Sequence, residues 1–321
     1  MEIFKLTLTQ MLMMFTLILA GFILRKKMLL PENAGAVMAK LETYIFVPGL
    51  SLYTMLTKCN VKTFAENYTL ILCGLAVIAG ALILAYPLSS LFVRKPQTSA
   101  ESYRKNIFTY ALTFGNFGFM GNFIILGIWG EDMFFKYSMF TFLISIVCNS
   151  WGLYVLIPKE QNSSLAQNLK KGLLTPPIIA IVSGIILGLL GAVNYLPSFA
   201  VSALENASKC QGPVAMVLAG FVIGGYNFKK MLTNGKVYLT TLFRLIIIPS
   251  IFIAVLKLFG ASEEIIIFTL VCFATPIGLN SIVFPAAYGG DTETGASMAM
   301  VSHTLSVITI PLMYLLFVVL L

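Results

Sequence analysis

Two long apolar segments of this chain each contain a cluster of residues that weakens a helix. The first holds Thr113-Phe-Gly-Asn-Phe-Gly-Phe-Met-Gly-Asn122, and the second holds Ala274-Thr-Pro-Ile-Gly-Leu-Asn-Ser-Ile-Val-Phe-Pro285. Each segment is long enough to span a bilayer, where hydrocarbon offers no partner to the backbone groups that a break exposes. Broken apolar segments at corresponding positions in two halves of a membrane chain point to a transporter with a binding site at the midplane.

The composition is that of a membrane protein. Apolar residues make up 58% of the chain and charged residues 11%, and the mean hydropathy is +0.91. An ordinary soluble domain has about 25% charged residues. The chain is therefore predicted to cross the lipid bilayer several times. Its net charge of +8 does not indicate a nucleic-acid partner, because cations at the ends of spanning helices act as topology signals.

Apolar runs of the roughly 20 residues that a spanning helix needs predict an all-α fold with ten transmembrane helices. We number these predicted segments 1 to 10. They lie near 7–24, 36–56, 68–91, 107–129, 134–157, 173–193, 209–226, 236–259, 264–288 and 295–320.

Lysine and arginine are distributed unequally between the two sides of this predicted array. Fourteen lie in connections from odd to even segments, six lie on the opposite side, and Arg244 lies inside segment 8. By the positive-inside rule the side with fourteen is cytoplasmic, which places both termini outside a multi-pass protein of the cell (inner or plasma) membrane. The fourteen are Arg25, Lys26, Lys27, Lys40, Arg94, Lys95, Arg104, Lys105, Lys159, Lys170, Lys171, Lys229, Lys230 and Lys236.

The order of segments repeats along the chain. Helix starts in the two halves differ by 166, 168 and 161 residues, and Asn116 and Asn280 in the broken segments are 164 residues apart. Because five helices per half is an odd number, the second half enters the membrane from the other face. The sequence thus predicts two inverted five-helix repeats, 1–157 and 173–321, joined by a cytoplasmic loop at 158–172.

Four stretches have the order and spacing of a known family. They are Phe46-Val-Pro-Gly-Leu-Ser51, Phe114-Gly-Asn-Phe-Gly-Phe-Met-Gly121, Ala274-Thr-Pro276 through Ala287-Tyr-Gly-Gly-Asp291, and Ser302 to Pro311. In these stretches the chain resembles the auxin efflux carrier family, which includes plant PIN-type auxin carriers and bacterial permeases thought to carry dicarboxylates such as malate or malonate. The resemblance implies the fold of the bile-acid sodium symporters and sodium-proton antiporters. In that fold helices 4 and 9 cross where they unwind, and one domain moves against the other as an elevator.

One position departs from the family pattern. Most relatives have a proline two residues after the last glycine of the segment 4 motif, where this chain has Phe123. The three glycines of the motif still favour unwinding, at about 1 kcal/mol each relative to alanine. We expect segment 4 to be unwound near Gly115 to Asn122, and segment 9 near Pro276 to Pro285.

The crossing of two breaks predicts a site for an anion. Unwound backbone exposes amides, and the N-terminal ends of half-helices carry partial positive charge. Asn116 and Asn280 each add an amide donor and an acceptor suited to a carboxylate. Alternatively, each asparagine only caps a broken helix end. The predicted substrate-binding residues are Asn116, Gly118, Gly121, Asn122, Pro276, Asn280, Ser281 and Arg244.

Arg244 and His303 lie well inside segments 8 and 10. An arginine at the bilayer centre costs roughly 2.5 to 3.5 kcal/mol on insertion scales. Arg244 is therefore either a counter-charge for the anion or a residue that reaches the headgroups by snorkelling. His303 is either a residue that couples proton movement to transport or a hydrogen-bond partner of a neighbouring helix. No acidic residue is expected at midplane depth, because Glu42 lies near the start of segment 2.

The sequence predicts neither an enzyme nor a cofactor or metal site. It has no nucleotide-binding loop, and one histidine with five scattered cysteines does not make a zinc site of the usual spacing. Glycine faces in segments 6 and 7 are interpreted as packing surfaces of a scaffold or a homodimer. They are Gly184, Gly188, Gly191, Gly220, Gly224 and Gly225.

The favoured function is a secondary carrier of a small organic anion, driven by a proton or sodium gradient through an elevator mechanism. Two alternatives remain: a channel or uniporter for such anions, and a membrane receptor with a carrier fold. A channel favours a continuous polar pore lining, which the ten segments lack. A receptor usually adds a soluble signalling domain, and the longest predicted loop here spans only 158–172.

Overall fold

The computed structural model describes residues 2–158, 164–226 and 234–320. Within these ranges the chain is all-helical, with 84% helix and no strand apart from one isolated backbone bridge. Lys159, Lys229 and Lys230, which contribute to the predicted orientation, lie outside the described residues. The helical membrane class is confirmed, while the ten-helix inverted repeat and the orientation remain predictions.

The described residues of the first half form the helices α1 to α8. α1 is Glu2–Lys26, and α2, Ala34–Leu41, continues through a π turn, Glu42–Phe46, into α3, Val47–Lys58. The next three helices are α4, Val61–Asn67; α5, Thr69–Ser89; and α6, Ser99–Thr113. A π turn at Phe117–Gly121 leads into α7, Asn122–Val147, and another at Cys148–Gly152 leads into α8, Leu153–Leu156.

The second half begins with α9, Leu165–Leu173, and α10, Pro176–Leu189. A short 3₁₀ turn, Ala192–Tyr195, precedes α11, Ser198–Gly224. α12, Gly235–Leu242, continues through a π turn, Phe243–Ile247, into α13, Ile248–Leu258. The last helices are α14, Glu263–Ala274; α15, Asn280–Ala287; and α16, Thr292–Tyr314, which ends in a π turn at Leu315–Leu320.

Six helical stretches of the described chain are by themselves long and apolar enough to cross a membrane. A seventh is added if α9 and α10, which meet at a bend of 53°, form one broken span. Segment 9 is not among the six, because its break divides it into the short helices α14 and α15. Large apolar side chains such as Leu72, Ile83 and Leu190 are more than half exposed, as a lipid-facing surface requires.

The continuous helical stretch Phe117–Leu156 bends at Gly130. Gly130 has a φ of 78°, in the left-handed region that glycine adopts without strain. The bend lies between the predicted end of segment 4 at 129 and the predicted start of segment 5 at 134. One stretch of helix thus contains the second part of segment 4 and segment 5 as far as Leu156.

Segments 4 and 9 are both interrupted, but over shorter stretches than predicted. Residues 114–116 separate α6 from the π turn at Phe117–Gly121, and residues 275–279 separate α14 from α15. The remainder of each predicted unwound region, 117–122 and 280–285, is helical. Glycine costs only about 1 kcal/mol in a helix, which the hydrogen bonds of a continuing helix outweigh.

The connection predicted as a loop at 158–172 contains most of α9. Ser164 Oγ accepts a hydrogen bond from Gln167 N–H, and Gln167 Oε1 accepts one from Ser164 N–H, each at 3.2 Å. This capping box satisfies one amide in the first turn of the helix and the Ser164 amide before it. Lys170 and Lys171 in its last turn are favourable at the negative C-terminal end.

The helices pack in two groups. In the first group, α1 packs along α11, and both α10 and α11 pack on α3. In the second group, α5 packs on α6 and α7, and α16 packs on α12, α14 and α15. The groups meet where α1, α3 and α11 contact α7, the π turn before it, and α16.

The glycine faces of segments 6 and 7 pack against other helices of the same chain. A Cβ on Gly184 would lie 2.6 Å from Met55 Cβ, and Gly220 lies directly against the backbone of Ile18. The packing interpretation holds for these glycines. Gly191 is different, because its φ of 65° makes it the left-handed residue that follows α10.

Candidate functional site

The two helix breaks lie against each other. Gly115 and Ile277 form an antiparallel backbone bridge, and Asn116 N–H donates to the Pro276 carbonyl at 2.7 Å. A Cβ on Gly115 would lie 2.6 Å from Thr275 Oγ1 and 2.9 Å from the Cys272 carbonyl oxygen. Glycine at position 115 therefore allows the two backbones to approach this closely.

Four helix ends surround this crossing. α6 and α14 end here, so their last carbonyl groups lack helical partners. The π turn that leads into α7 and the helix α15 begin here, so their first N–H groups lack helical partners. The two C-terminal ends carry partial negative charge, and the two N-terminal ends carry partial positive charge.

Arg244 binds both C-terminal ends. Its Nη1 donates to the carbonyls of Leu112 and Thr113, each at 3.1 Å, and its Nη2 donates to the Cys272 carbonyl. The Arg244 Cζ atom also lies 5.1 Å from the centroid of the Phe273 ring, a cation–π contact. One rigid guanidinium with several donors thus serves carbonyls of α6 and α14 together.

The side chain of Arg244 comes from the π turn Phe243–Ile247 and is fully buried. The snorkelling alternative is therefore wrong for this residue. A helix break leaves carbonyl groups without helical partners, and these are strong hydrogen-bond acceptors. The guanidinium binds these carbonyls and does not extend towards the headgroups. The interpretation of Arg244 as a source of positive charge at the crossing remains open as a proposal.

His303 holds the side chain of Asn116. His303 Nδ1 lies 2.7 Å from the Ala299 carbonyl oxygen, which only accepts, so Nδ1 carries the proton of the neutral ring. His303 Nε2 is then an acceptor, and it lies 3.3 Å from Asn116 Nδ2. Both side chains are buried. The bond joins segment 10 to the break in segment 4. His303 is thus a hydrogen-bond partner of a neighbouring helix, which was one of its two predicted roles.

Two other side chains hold the breaks from neighbouring helices. Ser302 Oγ accepts a hydrogen bond from Ile277 N–H at 3.1 Å, within the break of segment 9. Tyr137 OH donates to the Phe117 carbonyl at 3.0 Å, at the start of the π turn. Sequence reasoning missed both roles, although buried polar side chains in apolar helices commonly join helices in this way.

Asn280 lies on another side of the crossing, towards segments 4 and 5. Its Nδ2 lies 3.7 Å from Cys148 Sγ, which in turn lies 3.3 Å from Tyr110 OH. Asn280 is partly exposed, whereas Asn116 is buried. Neither asparagine side chain caps the helix that follows it, so the capping alternative is not what the structure contains.

The remaining predicted site residues differ in burial: two are partly exposed and two are buried. Gly118 and Asn122 are partly exposed, and a Cβ on Gly118 would meet no atom within 4 Å. Gly121 is buried, with Tyr137 OH 2.5 Å from the position of a Cβ. Ser281 is also buried, and its Oγ donates to the Gly278 carbonyl at 2.8 Å.

Phe123, the departure from the family pattern, lies where the two helix groups meet. Its ring packs directly against Gly212 of α11, and its carbonyl accepts from Gln10 Nε2 of α1 at 3.0 Å. The break in segment 4 ends before this position, so no proline is needed here to interrupt the helix.

Glu42 is an acidic residue in the interior of the helices, while the expectation that no acidic residue lies at midplane depth stays a prediction. Glu42 is fully buried, in a π turn that continues the helix beginning at Ala34. At 1.5 Å per residue, Glu42 lies about 12 Å along this helix. The signal in the sequence was the placement of a glutamate inside an apolar segment, which is costly without a role.

The sequence matches known proteins whose class agrees with a helical membrane transporter. The family model described as "Membrane transport protein" matches residues 6–314, which include both breaks, Arg244 and His303. The chain belongs to this membrane transport protein family. It is the family of the auxin efflux carriers, to which the four sequence motifs pointed.

A relative of this membrane transport protein is an uncharacterised transporter of Methanocaldococcus jannaschii. The two are 23% identical over 308 residues, which cover 94% of this chain and 96% of the relative. The family and this relative indicate a transporter and not an enzyme.

Gly115→Ala and Gly118→Ala provide a matched test of the crossing in this membrane transport protein. The first adds a methyl group that overlaps the Arg244 guanidinium, and the second adds one in open space. Overpacking of a filled site costs about 1 to 3 kcal/mol. We expect Gly115→Ala to lower the thermal midpoint of the purified protein in detergent and Gly118→Ala to leave it unchanged or slightly raised. Equal midpoints in both variants would contradict the close crossing.

Proposed function

We propose that this protein is a secondary carrier of a small organic anion of the mono- or dicarboxylate class. In this proposal a proton or sodium gradient drives transport, and the substrate binds at the crossing of segments 4 and 9. The proposed contacts are Asn116, Gly118, Gly121, Asn122, Pro276, Asn280 and Ser281, with Arg244 contributing positive charge and His303 holding Asn116.

The observation that carries the proposal is the balance of charge at the crossing. Arg244 donates to carbonyls at both C-terminal helix ends and so opposes their partial negative charge. The two N-terminal ends retain their partial positive charge, and no acidic side chain among the described residues forms an ion pair with Arg244. A site with this balance favours an anion over a cation or a neutral molecule.

The exposed part of the proposed site supports binding close to the backbone. Gly118 lies in the first turn after the break and has open space where a side chain would be. A carboxylate at this position can approach the N–H groups of the turn, as anions do at helix N-termini. Asn122 and Asn280, which are also partly exposed, offer amide donors.

His303 affects the site through Asn116. In the neutral ring, Nε2 accepts from the Asn116 amide and fixes its orientation. A proton on Nε2 would turn this nitrogen into a donor, and Asn116 would have to present its oxygen instead. Protonation of His303 would therefore reorient a proposed substrate contact, which is how the residue would couple protons to binding.

The elevator mechanism is proposed from the packing of the helices. Both breaks, Arg244 and His303 belong to the second helix group, so the proposed site moves as one unit. The first group would form the scaffold past which that unit slides. The predicted inverted repeats would supply the inward-facing and outward-facing states of such a mechanism.

Uptake into proteoliposomes tests the proposed function. The purified protein is reconstituted, and labelled mono- and dicarboxylates are offered with imposed proton and sodium gradients in turn. We expect at least one carboxylate to accumulate above protein-free liposomes under one gradient, while its uncharged amide does not. Equal uptake of acid and amide, or no uptake of any carboxylate, would contradict an organic-anion carrier. Uptake that never exceeds equilibration would favour the channel or uniporter.

Asn116→Ala tests the binding role of the crossing. Loss of a hydrogen bond to a charged group costs about 1.5 to 3 kcal/mol, so we expect the accepted anion to bind roughly ten- to a hundredfold more weakly. Asn206→Ala is the control, because Asn206 is an exposed asparagine of α11 that bonds only to the Ser202 carbonyl in the described structure. Wild-type affinity in a well-folded Asn116→Ala protein would mean that the substrate binds elsewhere.

A further inference from the structure

A pair of buried polar side chains lies outside the proposed anion site, in the first helix group. Glu42 of the π turn Glu42–Phe46 and Gln211 of α11 are both fully buried, and the Gln211 amide lies beside the Glu42 carboxyl. No hydrogen-bond partner within the described residues serves either Glu42 oxygen or either polar atom of the Gln211 amide. Four polar atoms are therefore brought together at one place without partners.

Close helix packing fixes the position of this pair. On one side of Glu42, a Cβ on Gly35 would lie 3.3 Å from the Phe221 ring, and on the other side a Cβ on Gly49 would lie 2.9 Å from Ala207 Cβ. α11 is thus held against the helix on both sides of Glu42. π turns inside α-helices are frequent at functional sites, because they redirect one side chain.

The charged and titratable groups on the surrounding elements do not neutralise Glu42. Lys40 of α2, Tyr44 of the turn itself and Cys210 of α11 are exposed, and Tyr53 of α3 is partly exposed. Lys58 of α3 pairs with Glu131 and Asp132, and Lys209 of α11 pairs with Glu205. α10 carries no ionisable side chain. An ionised Glu42 would be a buried charge without a counter-charge, which is strongly unfavourable.

A single proton satisfies all four atoms at once. A protonated carboxyl donates its O–H to Gln211 Oε1, and Gln211 Nε2 donates to the other Glu42 oxygen. A sodium ion would use the oxygens but leave the Gln211 Nε2 donor without an acceptor, and two side chains supply fewer oxygens than a metal cation requires. The donor and acceptor inventory therefore favours a proton.

We infer that Glu42 and Gln211 form a proton-binding site in the scaffold helices, at their contact with the second helix group. The neighbour of Gln211, Gly212, packs directly on the ring of Phe123 at the start of α7. In this inference, the opening of this packing is the route by which a proton reaches the buried pair. Proton exchange at Glu42 then depends on the relative position of the two groups, a consequence that rests on the proposed carrier function.

Infrared spectroscopy of the purified full-length protein tests the site without any substrate. The C=O stretch of a protonated carboxylic acid is separate from the bands of a carboxylate. We expect wild type at neutral pH to show one such band, Glu42→Gln to lack it, and Glu66→Gln to keep it, because Glu66 is an exposed carboxyl of α4. Gln211→Leu should shift the band of the remaining acid, because its hydrogen-bond partner is lost.

Three results would overturn the inference. The first is the absence of the band in wild type at neutral pH. The second is an identical band in wild type and Glu42→Gln. The third is loss of the band when sodium chloride replaces choline chloride, which would show that a metal cation neutralises the carboxyl. If Glu42→Gln does not fold, the inference is tested by two other results. These are the presence of the band in wild type and its shift in Gln211→Leu. None of these readouts depends on transport, so a wrong substrate class would leave them unaffected.

Discussion

The bonds between the Arg244 guanidinium and the ends of α6 and α14 hold the centre of this structure together. Each break leaves carbonyl groups at a helix C-terminus without helical partners, and hydrocarbon offers no water to replace them. Arg244 comes from a third helix and donates to carbonyls of both broken segments. The crossing can therefore exist inside a membrane because one buried cation serves both of its negative ends.

The same arrangement links the fold to the proposed function. α16 supports the crossing from another side, through Ser302 to Ile277 and through His303 to Asn116. With the carbonyl ends bound by Arg244, the amide ends remain to attract an anion. The groups that permit two broken helices in the membrane are thus the groups that define the charge of the site. Glu42 and Gln211, in the other helix group, add a place where a proton can bind.

The sequence predicted the helical membrane class and the positions of both breaks, because glycine and proline act on their own backbone. It did not predict how long the breaks are, since that depends on where the next helix restarts. The sequence also did not predict which side chains of distant helices form hydrogen bonds with the breaks. Arg244 was recognised as too deep for an unpaired charge, but its carbonyl partners were not. The bond between Asn116 and His303 joins residues 187 positions apart. Glu42 was judged by its distance from a helix start, whereas its burial is set by α11.

Hydrogen–deuterium exchange of Arg244→Gln tests the central claim most directly. Loss of the charge-assisted bonds, at about 1.5 to 3 kcal/mol each, should speed amide exchange about tenfold or more in peptides that cover 112–118 and 272–279. Other helices should exchange as in wild type. Arg104→Gln, which removes an exposed arginine from the same helix α6, should change neither peptide. Unchanged exchange at both breaks in a folded Arg244→Gln protein would show that Arg244 does not hold the crossing together.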